Sequence, residues 1–206
     1  MAEAPSSDGV LADGPLSDWQ FYRLATCGAM PGGECRAATL RWNKPRLTLT
    51  VALGSDPATT EFQSRLVRAA RHAIDEVNGV GAGIAIDFLP DGPADITILA
   101  TPLTEGTILS ETPGFSGPGV MGVGYMTVWS NEFNQITEAV ILISTSIAAA
   151  DLTSVMLEEV TQSLGFLFDI DGPTYEGVSI LSQTSNATTR LTGQDAMLLR
   201  WHYPPP

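Results

Sequence analysis

The stretch "LEEVTQSLG" (157–165) sets two adjacent carboxylates, a glutamine and a terminal glycine at the end of an apolar run. The spacing of the apolar residues predicts a helix over about 149–164, with Gly165 where it ends. An i, i+4 separation puts Glu158 and Gln162 on one face of that helix. Glu159 points about 100° away from Glu158. The two acids therefore do not face each other across a substrate as a glycosidase pair must. Read from the residues alone, this is a solvated or hydrogen-bonded helix face. A partly buried carboxylate must be paired or protonated, so Glu158 and Gln162 are expected to bond with the segment around 178–190.

Upstream, "RLTLTVAL" (46–53) alternates and is β-branched, the pattern of a strand. Ser55 or Asp56 with Pro57 then opens a helix of about 58–78, whose apolar face is Phe62, Leu66, Ala69, Ala70, Ala73, Ile74 and Val77. "GIAIDFL", "ADITILAT", "VMGVGYMTVWS" and "EAVILIST" read as four further strands. A last helix spans about 193–203, with Thr192 as its cap and Asp195 favouring its positive end. The order is that of an α+β layered domain, one twisted mixed sheet carrying helices.

The chain has 206 residues, enough for one core, and a net charge of −13 from 23 acids and 10 bases, of which only Lys44 is a lysine. That balance disfavours nucleic acid and anionic lipid as main partners, because like charges repel. There is no apolar run of 18 residues, so no transmembrane segment is expected. The start, "MAEAPSSDGVLADGP", lacks the basic and apolar regions of a signal peptide and reads as a mature chain whose export signal has been removed. Residues 1–16 are expected to form a flexible or partner-bound arm, and 17–206 the domain. Cys27 and Cys35 bracket the turn-prone "GAMPGGE" with no histidine nearby, which favours a disulfide over two free thiols and hence an oxidising compartment.

The element order, together with "EEVTQSLG", "VSILS" (178–182) and "LTGQDAMLLRWHY" (191–203), resembles the zincin-like fold in its metzincin form over about residues 44–204. "EEVTQSLG" stands where His-Glu-x-x-His-x-x-Gly would be. Ile180 and Leu181 stand where the methionine of the turn beneath the metal is expected. More narrowly, "LEEVTQSLG" together with "VSILSQTSNATTRLTGQDAMLLRWHY" (178–203) is similar to a family of uncharacterised proteobacterial secreted proteins and lipoproteins, a domain of unknown function. The resemblance implies a fold with a long N-terminal helix, an active-site-like helix and a C-terminal helix, and a periplasmic or cell-envelope location. It implies no activity.

A catalytic zinc takes three protein ligands and one open position. At the matching positions Glu158 could ligate, Gln162 is a poor donor, and Phe168 cannot ligate although Asp169 beside it could. His72 and His202 have no partners at ligand spacing and read as surface or capping residues. Glu159 holds the general-base position, but a lone carboxylate without a metal to lower the pKa of water from about 15.7 towards 7 makes a weak hydrolytic site. "DIDG" (169–172) lacks the remaining acids of a calcium loop and reads as a turn. The "NAT" sequon (186–188) means little in a protein of bacterial type. Neither a Gly-x-Ser-x-Gly elbow nor a P-loop is present.

In zincin-like folds the strand bordering the cleft binds an extended peptide through its main chain, and residues 119–129 match it, with Gly122, Gly124, Tyr125 and Thr127 as the expected contact positions. The alternative is a glycine-softened edge that avoids aggregation. The expectation is thus a catalytically inactive module with no cofactor, binding a protein or peptide partner. One alternative is a divergent hydrolase using Glu159 as base, with zinc or another divalent metal on Glu158, Gln162 and Asp169. Another is an accessory subunit of a membrane-associated assembly, held by its N-terminal arm.

Overall fold

Seven alternating residues, Arg46–Ala52 (β3), turn Leu47, Leu49 and Val51 to one face of the sheet and Thr48 and Thr50 to the other. The same alternation places Ile96 and Ile98 of β5 (Ile96–Thr101) beside Leu49 and Val51, and Ala139, Ile141 and Ile143 of β7 (Gln135–Ser144) beside β5. A computed structural model describes residues 9–52, 60–109, 119–185 and 187–206. The helix start expected at Ser55–Pro57 and the sequon asparagine at 186 lie outside them.

The remaining strands of this sheet are β2 (Arg41–Trp42), β4 (Ala85–Phe88) and β6 (Gly124–Ser130). Its main order is β4-β3-β5-β7-β6; every neighbouring pair is parallel except β6, which runs antiparallel to β7 at the border. The two residues of β2 pair with the first two of β7, on the parallel side.

The sheet has two apolar faces. On one, α2 (Thr60–Gly79) and α3 (Leu152–Gln162) pack over Leu47, Leu49, Ile86, Ile96, Ile98, Ile141 and Ile143. All seven residues expected on the apolar face of α2 are buried. On the other face Val140 and Leu142 meet Leu109 and Met121, with Tyr125 and Trp129 of β6 closing over them. Because α3 is covered by α2 and by β6, it is buried almost all round. The α+β reading therefore holds, and of the two readings of the "LEEVTQSLG" face, solvated or hydrogen-bonded, the solvated one is corrected: this helix is interior, and Gln162 is hydrogen-bonded.

Beyond the short strands β2 and Ile170–Asp171, a helix and an N-terminal strand lay outside the expected elements. Asp18–Cys27 forms helix α1, capped by Ser17 and Gln20: the Gln20 amide donates to Ser17 Oγ, and the Ser17 amide to Gln20 Oε1. The chain from Gly9 on is part of the fold. Val10–Leu11 (β1) pairs in parallel with Ile170–Asp171 (β8), and Val10 and Ala12 are wholly buried. Downstream, the Leu16 amide donates to the Tyr175 hydroxyl and its carbonyl accepts from Gln194 of α4 (Gly193–His202). The arm expected over 1–16 is therefore integrated from residue 9, because its few apolar side chains find the core. Cys27 and Cys35 are bridged, as expected, just after α1.

If β1 is a structural strand, side chains at neighbouring positions must differ sharply in effect. Val10→Asp puts a charge where exposure is 0% and should lower unfolding stability in urea by roughly 3 kcal/mol or more. Leu11→Asp, at a side chain 54% exposed, should change it by only about 0.5 kcal/mol. Equal effects would contradict the docking of this strand.

Candidate functional site

The carboxyl end of α3 is where the distant parts of the chain meet. The last carbonyls of a helix have no partner within it; here those of Glu159, Thr161 and Gln162 accept from amides of the following turn, and the next two carbonyls, of Ser163 and Leu164, are taken by side chains. Trp42 Nε1 donates to the Ser163 carbonyl at 2.9 Å and the Tyr203 hydroxyl to the Leu164 carbonyl at 2.7 Å. The Tyr203 oxygen in turn accepts the Trp42 amide at 3.0 Å. Gly165 has φ +107, and a β-carbon there would lie 2.2 Å from the Leu40 carbonyl oxygen, so both conformation and contact demand glycine.

The Leu40 carbonyl is also bonded by His202 Nε2 at 2.9 Å. A carbonyl only accepts, so Nε2 carries the imidazole proton, and Nδ1 accepts from the Tyr22 hydroxyl at 3.1 Å. Burial, reinforced by the Arg41 guanidinium, pushes His202 down to about 4. Burial also holds the Tyr203 phenol well above its ordinary range. The expectation of a surface or capping histidine is thus corrected for His202, which is fully buried. His72 is half-buried, with Nε2 at 2.7 Å from the Thr189 carbonyl.

The polar residues of the motif differ in exposure. Glu158 is half-buried, while Glu159 and Gln162 are each 7% exposed. Gln162 Nε2 donates to Asp169 Oδ1 at 2.7 Å, and Asp169 is itself 6% exposed. The partner of Gln162 is thus Asp169, seven residues on, rather than the 178–190 segment, which runs alongside through main-chain bonds from Ile170 to Leu181 and from Gln183 to Ile170. Phe168 lays its ring over Gly28 at the end of α1.

Among the described residues no three His, Cys, Asp or Glu stand close enough together to hold a metal ion.

The turn "VSILS" is held by a carboxylate. Asp195 accepts from Ser179 Oγ at 2.7 Å and from the Ile180 amide at 3.0 Å, while Ile180 and Leu181 point into the core. Burial pushes Asp195 up to about 6 against those two bonds. Asp195 therefore anchors a turn as well as standing in the first turn of α4, and Thr192 occupies the cap position without a side-chain bond to the helix.

Glu159 lies against the border strand. A β-carbon on Gly124 would fall 2.3 Å from Glu159 Oε1 and 2.7 Å from Val155, so glycine is what lets β6 approach α3. The Ser144 amide donates to the Val123 carbonyl opposite it. By the alternation of an antiparallel ladder, the amides of Tyr125 and Thr127 then turn to β7, and those of Gly124, Met126 and Val128 turn to the outer edge. No strand pairs with that edge of Gly124–Ser130 among the described residues. The stretch before it is different. Residues 119–121 already bond to 106–109, including Leu109 to Gly119 and Met121 to Thr107, so the exposed edge is shorter than the 119–129 expected. Gly122 lies between the two parts, where a β-carbon would come within 3.0 Å of the Gly124 carbonyl oxygen.

Residues 33–206 match the family described as proteins of unknown function, DUF2927, and the chain belongs to that family. No curated protein matches the chain. Helix α1 and β1 precede the matched span, although both are bonded to it.

The two buried titrating groups of α4 act on stability with opposite sign. His202, depressed in the fold, adds stability that is present above pH 6.5 and lost as pH falls towards about 4. Asp195, raised in the fold, adds stability that is present below pH 3.8 and lost as pH rises through about 6. Between those limits they offset each other. In Asp195→Asn the offset is gone, so stability should fall with acid more steeply than in the wild type, by about 1.4 kcal/mol per pH unit between about pH 6 and 4. Urea unfolding at a series of pH values measures this; parallel profiles would contradict it.

Proposed function

From the border position of β6 and the arrangement around α3, we propose that the domain is a catalytically inactive, zincin-like module that binds an extended peptide or protein segment. The observation that carries this is the outer edge of β6, where Gly124, Met126 and Val128 direct main-chain groups away from β7. Such an edge adds a strand from a partner, with affinity from the main chain and selectivity from alternate side chains. The sheet supports the zincin-like part of the reading. Its one antiparallel strand is at the border, and the helix bearing "EEVTQSLG" lies directly beside it. The disulfide supports export to an oxidising compartment such as the periplasm or the cell surface.

The placement of Glu159 against Gly124 favours a second reading, a divergent metal-dependent hydrolase with Glu159 as general base. The Gln162–Asp169 bond weighs against it, since it commits two of the three expected ligands to each other.

A proline on β6 separates the readings, and its position matters. Gly124 has no room for a β-carbon, so a substitution there would disturb packing as well as pairing. Met126→Pro removes an outward donor from the middle of the strand and leaves the donors directed at β7 in place. Matched to the wild type by circular dichroism, it should no longer recover the partner that the wild-type chain recovers from an envelope fraction, while Glu159→Gln should still recover it. Undiminished capture by Met126→Pro would overturn the edge-binding reading. Cleavage of the partner that stops in Glu159→Gln would establish the hydrolase.

A further inference from the structure

A second surface, which uses no residue of β6, lies where α1 meets the disulfide loop. A groove of about 360 Å³ is lined by Trp19, Gln20, Arg23 and Met30, with Ser17 and Gly32 at its margins. Trp19 is 59% exposed and Met30 50%, although both are large apolar side chains. The patch continues sideways through stacked rings. Trp19 lies over Tyr22 at 5.8 Å between centroids, and Tyr22 meets Trp201, itself 46% exposed, at 6.1 Å. Scattered single apolar residues on a surface need no explanation, but a contiguous aromatic strip marks an interaction site. Trp, Tyr, Met and Arg are also the residues enriched where interfaces are strongest.

The charge in the groove tells what fits it. Arg23 is half-buried and forms no ion pair among the described residues. One arm of its guanidinium reaches only the Cys35 sulfur, at 3.7 Å, a weak acceptor. A guanidinium presents five donors in a fork that matches a carboxylate. In a chain with a net charge of −13, a cation left without an acid beside exposed tryptophan is complementary to an incoming anion. A basic segment would be repelled at this point, and an extended anionic bilayer or nucleic acid would meet the acidic remainder of the surface.

We infer that this groove is a docking site for an acidic peptide segment of a partner protein, one that presents a large apolar side chain next to a carboxylate. The apolar group lies against Trp19 and Met30, and the carboxylate accepts from Arg23. Except for Trp201 at its flank, the surface lies before residue 33, outside the span that matches the family.

Panning a random peptide phage library against the full chain tests this. Selected peptides should be enriched in Asp or Glu beside Trp, Phe or Leu. A synthetic peptide of that selected sequence should bind the wild type saturably by calorimetry, and roughly tenfold or more weakly to Arg23→Glu and to Trp19→Ala. Both side chains are solvent-accessible, and circular dichroism with thermal melting confirms that the variants are folded. Met126→Pro should bind this peptide as the wild type does. The inference is overturned by any of four results: no enrichment, selection of basic or uncharged peptides, equal binding by Arg23→Glu and Trp19→Ala, or sedimentation with phosphatidylglycerol vesicles in place of peptide binding.

Discussion

Everything around α3 depends on how its last turn is closed. A buried chain cannot leave its carbonyls to water; the following turn takes the last carbonyls of α3, and residues from two remote segments take the two carbonyls just past it. Trp42 from β2 and Tyr203 from the end of α4 take the Ser163 and Leu164 carbonyls. The Leu40 carbonyl crosses within contact of Gly165, and His202 fixes that carbonyl from the other side. One glycine thus allows the crossing of three segments that are far apart in sequence. The left-handed turn it makes also sends the chain towards Asp169, so the direction of the helix exit and the Gln162–Asp169 bond share a cause.

From that junction the polar residues sort by what they hold. Asp195 ties the 179–181 turn to α4, Gln162 ties α3 to its own exit, and Glu159 stands beneath the border strand where Gly124 makes room. Two of these three thus spend their hydrogen bonds on geometry. The outer edge of β6, by contrast, leaves main-chain groups directed outward. Among the described residues no strand pairs with that outer edge, which is the observation behind the proposed binding role.

Much of the sheet was legible because a period of two survives in "RLTLTVA" and "ITILAT", and α2 because its apolar positions repeat at helical spacing. Two-residue strands such as β1, β2 and β8 have no period to read; only their partners define them. Helix α1 was missed although its Ser17–Gln20 capping pair is a local signal, because its apolar residues are few and mixed with polar ones. The site was harder. Asp195 reads as a first-turn acid, Gln162 as bonding with the 178–190 segment and His202 as a surface or capping residue, yet each is buried by elements that sequence spacing does not bring together. That Gly124 is there to admit Glu159, and not simply to soften an edge, is a tertiary fact with no local signature.

The closure of α3 makes a direct demand on one proton. Nitrogen-15 NMR of the His202 imidazole, followed from pH 8 downward, reads its tautomer and its titration together. The account predicts a single neutral form with the hydrogen on Nε2 and half-protonation near about 4. An imidazole that titrates near its ordinary value of about 6.5, or one that carries its hydrogen on Nδ1, would contradict the junction on which the rest of the structure is built.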